Sequence, residues 1–290
     1  MKNHFSSLAV FAVLGSCAVT ANAEDEYQAE ITAVYARTDF SRDFKVNEIG
    51  AFAEVFFAPV KTADHPYAEA AFLEHIGSVS VMAADVGLKQ STVEGDGRML
   101  NVGVNYASPD FPLAIQATYG KTKYNYDAPY NFAFKGNDFS ISLGNYFTHT
   151  LLVGIRYANS KIDESTTGSS FKARDYGLFA HYVNELGQGN ALSLDGSLSS
   201  SSSDDGTGSL KNTDEHVTAD YYFSRGLSAG LGIGNSSGKD LSSEGRTYSA
   251  NVRYFVTPRF SVNAMYDRFL CANAGNDDSK FFGVAMALRF

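Results

Sequence analysis

The final ten residues of the chain, Phe281 to Phe290, alternate large apolar side chains with small or polar ones. This is the period of a β-strand with one apolar face. A protein in water would cover such a face with a helix or a second sheet, and we expect no further segment to do so. Lipid is the remaining cover, and strands cross lipid only as a closed barrel, because every backbone polar group there needs a hydrogen-bond partner. The large side chains are Phe282, Val284, Met286, Leu288 and Phe290.

The N-terminal 23 residues predict a secretory signal peptide. A basic start with Lys2 is followed by the apolar run Phe5 to Gly15 and by the small-residue cleavage site Ala21-Asn22-Ala23. The run is too short to cross a bilayer as a helix. We therefore expect cleavage near Ala23 and export of the remaining chain.

Two cysteines bear on the exported protein. Leu14 to Cys17 also fits a lipobox, so lipidation at Cys17 is an alternative to cleavage near Ala23. If cleavage occurs near Ala23, residues 24–290 form the mature domain with Cys271 as its single cysteine, and no disulfide can form within it.

Composition narrows the partners further. The formal net charge is −9, which argues against nucleic acid as a partner. The chain has 22 Phe and 17 Tyr but no Trp, with 26 Gly and six Pro. Because no segment after the N-terminal run is apolar enough for a transmembrane helix, membrane entry requires alternating strands.

Alternation recurs along the whole mature sequence. Segments of roughly ten residues with period 2 are separated by turn signals, and they predict an all-β, antiparallel transmembrane barrel of about fourteen strands, with a range of twelve to sixteen. In the first segment Tyr27 shares the apolar face with Ala29, and in the third a bulge is expected near Ala83 and Ala84. The predicted strands are Tyr27–Arg37, Asn47–Phe57, Ser78–Leu88, Arg98–Ala107, Leu113–Tyr124, Asp138–Phe147, Leu151–Tyr157, Arg174–Val183, Ala191–Ser199, Glu215–Phe223, Leu227–Gly234, Arg246–Val256, Phe260–Phe269 and Phe281–Phe290.

The connections between these segments alternate between short and long. Ser108 to Pro112 and Thr148 to Thr150 are examples of the short class, and Gln90 to Gly97 and Ser200 to Asn212 of the long class. Outer-membrane barrels have short periplasmic turns and longer external loops, so this alternation supports the same fold. Aromatic residues also concentrate near the strand ends, as expected for two interfacial girdles.

Only Pro59 to Gly77 breaks the period, and it falls on the short-turn side. Pro66 to Glu74 has the composition of a short helix, which predicts a periplasmic or lumenal helix near residues 66–75. The stretch Phe56 to Glu74 resembles a segment of a family of general porins from Gram-negative bacteria, which has a Pro-x-Ala-Glu-Ala-Ala-Phe-Leu motif. Tyr67 stands at the x position.

The closing strand is likewise similar to that of bacterial outer-membrane β-barrel proteins. In those proteins the C-terminal Phe belongs to a signal that the barrel-assembly machinery recognises. The resemblance implies that Phe282, Val284, Met286, Leu288 and Phe290 form such an assembly signal here, and that the mature protein resides in the cell outer membrane.

No sequence motif points to catalysis or to a cofactor. A nucleophile elbow, an HExxH motif, a CxxC pair and a Gly-rich phosphate loop are all missing, so we assign no catalytic residue, metal ligand or cofactor. His181 and His216 fall on inward faces, where a solvated lining is the more common role.

The inward positions of the predicted strands carry the remaining chemistry. Six carboxylates and three guanidinium groups lie among Ser, Thr, Asn and Gly, which predicts a polar lumen with an acidic balance. The alternative to a water-filled channel is a filled lumen in which these charges neutralise one another. The predicted pore-lining residues are Glu30, Glu54, Arg156, Asp175, Asp195, Asp220, Arg253, Asp267 and Arg289.

These observations predict a non-enzymatic channel for passive diffusion of small hydrophilic solutes, with mild cation selectivity. The main alternative is a non-conducting barrel that serves as a structural or surface-interaction protein, and an outer-membrane hydrolase is a third. The expected partners are outer-membrane lipid, the assembly machinery and the solutes. No predicted loop exceeds about thirteen residues, so none is long enough to fold inward as in trimeric porins, and we expect a monomer.

Overall fold

The computed structural model describes residues 25–41, 43–90, 93–126, 132–165, 168–204, 208–238, 244–272 and 278–290. The predicted signal peptide and Cys17 lie outside this range. Fourteen strands form one closed barrel in which sequence neighbours pair and β1 pairs with β14. All pairings are antiparallel, as for β1 with β14, so the predicted fold class is confirmed. Within the described ranges, no helix has the length and apolar character needed to cross a membrane.

The strands contain 11 to 18 residues. Their bounds are β1 Glu26–Phe40, β2 Phe44–Lys61, β3 Ser78–Gln90, β4 Val93–Ser108, β5 Phe111–Tyr126, β6 Ala133–Thr148, β7 Leu151–Glu164, β8 Ser170–Gly187, β9 Asn190–Asp204, β10 Ser209–Ser224, β11 Leu227–Gly238, β12 Gly245–Thr257, β13 Phe260–Cys271 and β14 Ser279–Arg289.

Most strands extend beyond their predicted ends on the side of the long connections. The predicted loop Ser200–Asn212 is mostly strand, since β9 continues to Asp204 and β10 begins at Ser209. The predicted loop Gln90–Gly97 is likewise mostly β3 and β4. A strand needs only about 9–11 residues to cross the hydrocarbon layer. Beyond the hydrocarbon layer the strands continue to pair through their backbones, but there is no lipid to require apolar side chains on the outer face. The alternation of apolar and polar residues therefore ends before the strands end.

Large apolar side chains cover the outer face of the barrel. Leu231 is 72 % exposed and Ile49 64 %, and in a membrane these surfaces meet lipid. Outward aromatic residues near the short turns include Tyr106, Phe111, Phe147, Phe223, Tyr254 and Phe290, and those toward the opposite end include Tyr35, Tyr119, Tyr176, Tyr248 and Tyr266.

Two local predictions were wrong. The pairing of β3 with β2 and β4 is continuous through Ala83 and Ala84, so there is no bulge there. Val86 and Leu88 instead point into the barrel and are buried. In the sequence, apolar residues on the inner face look the same as a bulge that moves the apolar residues to the other face. A register shift does occur in β1 between Tyr27 and Ala29. It turns Tyr27 inward, where its ring meets that of Phe56 edge-on at 5.3 Å between centroids.

The connection between β2 and β3, Thr62 to Gly77, lies inside the barrel, and we call it the plug segment. It contains one turn of helix, α1, from Ala70 to Leu73, which is shorter than the predicted helix but in the predicted place. Ala70 and Leu73 are fully buried. The other connections at this end of the barrel are two-residue turns.

Candidate functional site

The plug segment is fixed to the wall at β1 and β14 through Arg289. This guanidinium is almost fully buried and donates hydrogen bonds to the Glu30 carboxylate at 2.6 Å and to the Tyr67 carbonyl at 2.9 Å. It also stacks over the rings of Tyr27 and Phe255, 4.2 and 4.6 Å from their centroids. The charge of Arg289 is therefore compensated by Glu30 and covered by the plug segment.

A second attachment lies about half the barrel away, on β8, β9 and β10. The His181 ring sits between two carboxylates, with Nδ1 2.6 Å from Asp195 and Nε2 3.1 Å from Glu69 of the plug segment. The Tyr222 hydroxyl donates to the other Glu69 oxygen at 2.6 Å. Burial of Glu69 works to raise its pKa, but the hydrogen bonds from His181 and Tyr222 outweigh burial and lower the pKa. Glu69 is thus held as a carboxylate against the wall.

His65 forms a third attachment, at the mouth of the barrel. Its ring nitrogens lie 2.9 Å from Glu185 on β8 and 3.0 Å from Glu74. Burial works to lower the His65 pKa, but the two carboxylates prevail and raise it. Arg225, in the turn after β10, donates to the carbonyls of Thr62 and His65. The plug segment thus contacts strands on opposite sides of the barrel, so it spans the lumen at the short-turn end.

Two lumenal cavities flank the plug segment. One, of about 350 Å³, lies on the side of β1 to β8, and its lining includes Glu30, Glu54 and Gln116. The other, of about 490 Å³, lies on the side of β9 to β13, and its lining includes Asp220 and Asp267. Arg253 borders both cavities.

The structure brings the predicted pore-lining residues into several separate groups. Glu54 accepts a hydrogen bond from Ser78 at 2.5 Å, and Arg156 forms an ion pair with Asp175 at 3.0 Å. Among the residues that the structure describes, Asp267 makes no salt bridge, and it lies near the middle of β13. Asp220 lies four residues from the end of β10 and lines the same cavity as Glu69 of the plug segment.

Three further carboxylates face inward but were not among the predicted pore-lining residues. Glu48 shares the inner face of β2 with Glu54, Asp138 lies opposite Gly120, and Asp214 accepts a hydrogen bond from Asn212 at 2.9 Å. Glu48 and Asp138 lie within predicted strands, where the period-2 pattern already puts them on the inner face, whereas Asp214 lies one residue before the predicted strand Glu215–Phe223. Glu69 had no such signal, because its position depends on how the plug segment folds inward.

The five residues of the predicted assembly signal lie on one face of β14. Phe282, Met286, Leu288 and Phe290 are 39–52 % exposed on the outer surface. The backbone of Phe290 also pairs with β1, since its amide donates to the Ala29 carbonyl at 2.9 Å. The last residue therefore takes part in closing the barrel.

No group of three or more His, Cys, Asp or Glu side chains suited to a metal ion occurs in the described part of the chain.

A closed barrel with an apolar outer belt, a polar lumen and short turns at one end defines an outer-membrane β-barrel of the channel class. The comparisons with known proteins make this assignment more specific. A family model described as "Putative general bacterial porin" matches residues 1–290. The chain belongs to this porin family, whose members are non-enzymatic channels, so the hydrolase alternative is set aside.

Solved structures support the fold. The Acinetobacter baumannii outer membrane protein Omp33 is 19 % identical, with 92 % of this chain and all of that chain covered and a TM-score of 0.59. A bacterial polysaccharide outer membrane secretin is 11 % identical, with 91 % and 99 % coverage and a TM-score of 0.53. A deletion mutant of the monoaromatic hydrocarbon channel TodX is 11 % identical, with 92 % and 91 % coverage and a TM-score of 0.52. No curated protein matches the sequence.

Proposed function

We propose that this porin is a passive channel for small hydrophilic solutes and that it prefers cations. The observation that supports this most directly is the wall of the 490 Å³ cavity, where Asp195, Asp220 and Asp267 outnumber the single guanidinium of Arg253. Acidic linings favour cations because the local potential raises their concentration in the pore. Water in the lumen and salt screen these charges beyond about 8 Å at physiological ionic strength, so the preference is mild.

The solute path in this proposal runs through the lumen past the plug segment. Glu30, Glu54, Arg156, Asp175, Asp195, Asp220, Arg253, Asp267 and Arg289 remain its proposed lining. Their contributions differ, because Arg289 is neutralised by Glu30, Arg156 is paired with Asp175, and Asp195 faces the His181 ring. Asp220 and Asp267 are the residues we expect to determine selectivity.

A non-conducting barrel is the second candidate, and the plug segment is the observation that favours it. Attachments at β1 and β14, at β8 to β10 and at the turn after β10 hold this segment across the lumen. If the plug segment never moves, the protein is a structural or surface-interaction barrel. Single-channel recording of the purified protein in a planar bilayer distinguishes the two, because only the channel gives discrete current steps.

The proposal extends to biogenesis. Cleavage near Ala23 yields the mature barrel, and the outer face of β14, from Phe282 to Phe290, is presented to the barrel-assembly machinery. In this proposal the protein acts as a monomer, since its own plug segment narrows the lumen and no inserted loop from a long connection is needed to do so. Light scattering with correction for detergent would measure the mass of the particle directly.

A further inference from the structure

A cluster of basic side chains lies on the outer face of the barrel, just beyond the aromatic residues on the side of the long connections. It consists of Arg98 on β4, Lys121 and Lys123 on β5, and Lys135 on β6, and we call it the basic patch. These residues share the outward face with Leu100, Tyr119 and Phe139, which are 43–48 % exposed. Since successive strand residues alternate between faces, the basic patch continues the lipid-facing surface toward the external side.

The strand register places these like charges directly beside one another. Arg98 pairs with Lys123, and Lys123 pairs with Lys135, so three cations form a row across three strands. Lys121 lies on the same face two positions along β5. Like charges directly opposite each other destabilise a sheet. The row therefore favours an anion that would bridge it.

The protein supplies only part of that negative charge itself. Arg98 reaches Asp85 at 3.3 Å, and Asp163, the register partner of Lys135 on β7, is paired with Lys161 at 2.8 Å. Over the ranges that the structure describes, Lys121, Lys123 and Lys135 form no salt bridge, and Lys121 instead sits over the Tyr119 ring at 5.9 Å. This arrangement is unusual in a chain whose net charge is −9.

The side chains of the basic patch surround a shallow groove. Its volume is about 560 Å³, and its lining includes all four basic residues together with Leu100 and Asn137. The groove combines donors for oxyanions with an apolar edge that leads down to the lipid-facing belt. An occupant that fits both parts has phosphate groups and acyl chains.

We propose that the basic patch binds the phosphate groups of the phosphorylated glycolipid of the outer leaflet, lipid A. Its sugar phosphates lie at the level of the patch, just above the aromatic residues, while its acyl chains lie along Leu100, Tyr119 and Phe139. Lysine and arginine are the side chains that hold phosphate by charge-assisted hydrogen bonds. This proposal depends on the outer-membrane barrel and not on conduction, so a non-conducting protein would leave it intact.

Three other lysines provide a matched control, because they lie on the same face and at the same end of the barrel but do not line the groove. Lys45 and Lys280 are both register partners of Asp39, and Lys89 lies 3.2 Å from Glu94. Replacing these three with Gln removes the same charge as replacing Lys121, Lys123 and Lys135.

The test measures binding of lipid A to the purified full-length protein in detergent, by native mass spectrometry with bisphosphorylated and dephosphorylated lipid A as probes. We expect Lys121→Gln with Lys123→Gln and Lys135→Gln to weaken binding of the bisphosphorylated form by roughly tenfold to 100-fold. The Lys45, Lys89 and Lys280 variant should change it less than about threefold. The corresponding triple change to Arg should retain it.

Heat-modifiable mobility on gels shows that each variant is folded. Dephosphorylated lipid A should bind the wild-type protein and the basic-patch variant equally. Equal weakening by the two Gln variants would show general charge attraction and overturn the proposal. Unchanged binding in the basic-patch variant, or equal affinity of the wild-type protein for both forms of lipid A, would also overturn it.

Discussion

Glu69→Gln tests whether the attachment of the plug segment to the wall controls the opening of the lumen. The substitution keeps the size of the side chain but removes the charge that holds His181 and Tyr222. The plug segment would retain its contacts with Arg289 and Arg225, so the barrel itself should stay folded. We expect the docked state of the plug segment to become less populated.

The size of the effect follows from the two hydrogen bonds. A bond to a charged acceptor contributes about 1 kcal/mol more than one to a neutral acceptor, so two bonds give about 2 kcal/mol. At about 1.4 kcal/mol per factor of ten, the ratio of undocked to docked states should rise roughly 30-fold. Both partners of Glu69 lie on the barrel wall, where they stay in place when the charge is removed.

Single-channel recording at pH 7 in a planar bilayer measures this ratio as the time spent in high-conductance and low-conductance levels. Glu74→Gln is the matched control, since Glu74 is more exposed and its bond is to His65, which Glu185 also contacts. This change should shift the ratio by less than about fivefold. If Glu69→Gln opens the channel no more often than Glu74→Gln does, docking of the plug segment does not gate the lumen.

Three further results are expected. Deletion of Phe290 removes its backbone pairing with Ala29 and the last outward aromatic residue, so insertion of the protein into the outer membrane should fall. Phe290→Tyr should assemble normally. Normal heat-modifiable protein from the deletion variant would refute this prediction. Replacing Thr62 to His75 with a short Gly-Ser linker should leave the barrel folded and raise its conductance, because the remaining ladder of strands is closed; loss of folding would instead show that the plug segment is a required part of the core. Glu185 and Glu74 raise the His65 pKa above 6.5, so the protonated ring holds the plug segment fully below pH 6.5 and this attachment is lost as the pH rises through the raised pKa. Channel openings should therefore become more frequent on the alkaline side. His65→Gln should abolish this pH dependence.

The sequence was sufficient to predict the barrel because lipid imposes the same alternation on every strand. All fourteen predicted segments correspond to strands, and β14 shows the pattern most clearly. Predictions failed where lipid has no influence. Ser200 to Asp204 extends β9 without any apolar face, and Val86 and Leu88 are apolar residues inside the barrel.

The interior was less predictable than the wall. Alternation placed Asp195 and His181 on inward faces, but no local pattern indicates that Glu69 comes between β8 and β10 to meet His181 and Tyr222. Contacts of this kind join residues more than a hundred positions apart through an irregular segment. Tyr27 shows the same difficulty on a smaller scale, because one register shift in β1 turned its side chain from the lipid face to the lumen.

The central claim is that ions cross the lumen beside Asp220 and Asp267, and the reversal potential under a salt gradient tests it most directly. The wild-type channel should be mildly cation-selective, and Asp220→Asn with Asp267→Asn should move the reversal potential toward the anion side, most strongly at low salt. Glu94→Gln with Asp96→Asn removes two charges from the outer face and should leave it unchanged. A wild-type channel that prefers anions, or a double Asp variant that behaves like the wild type at low ionic strength, would contradict the account.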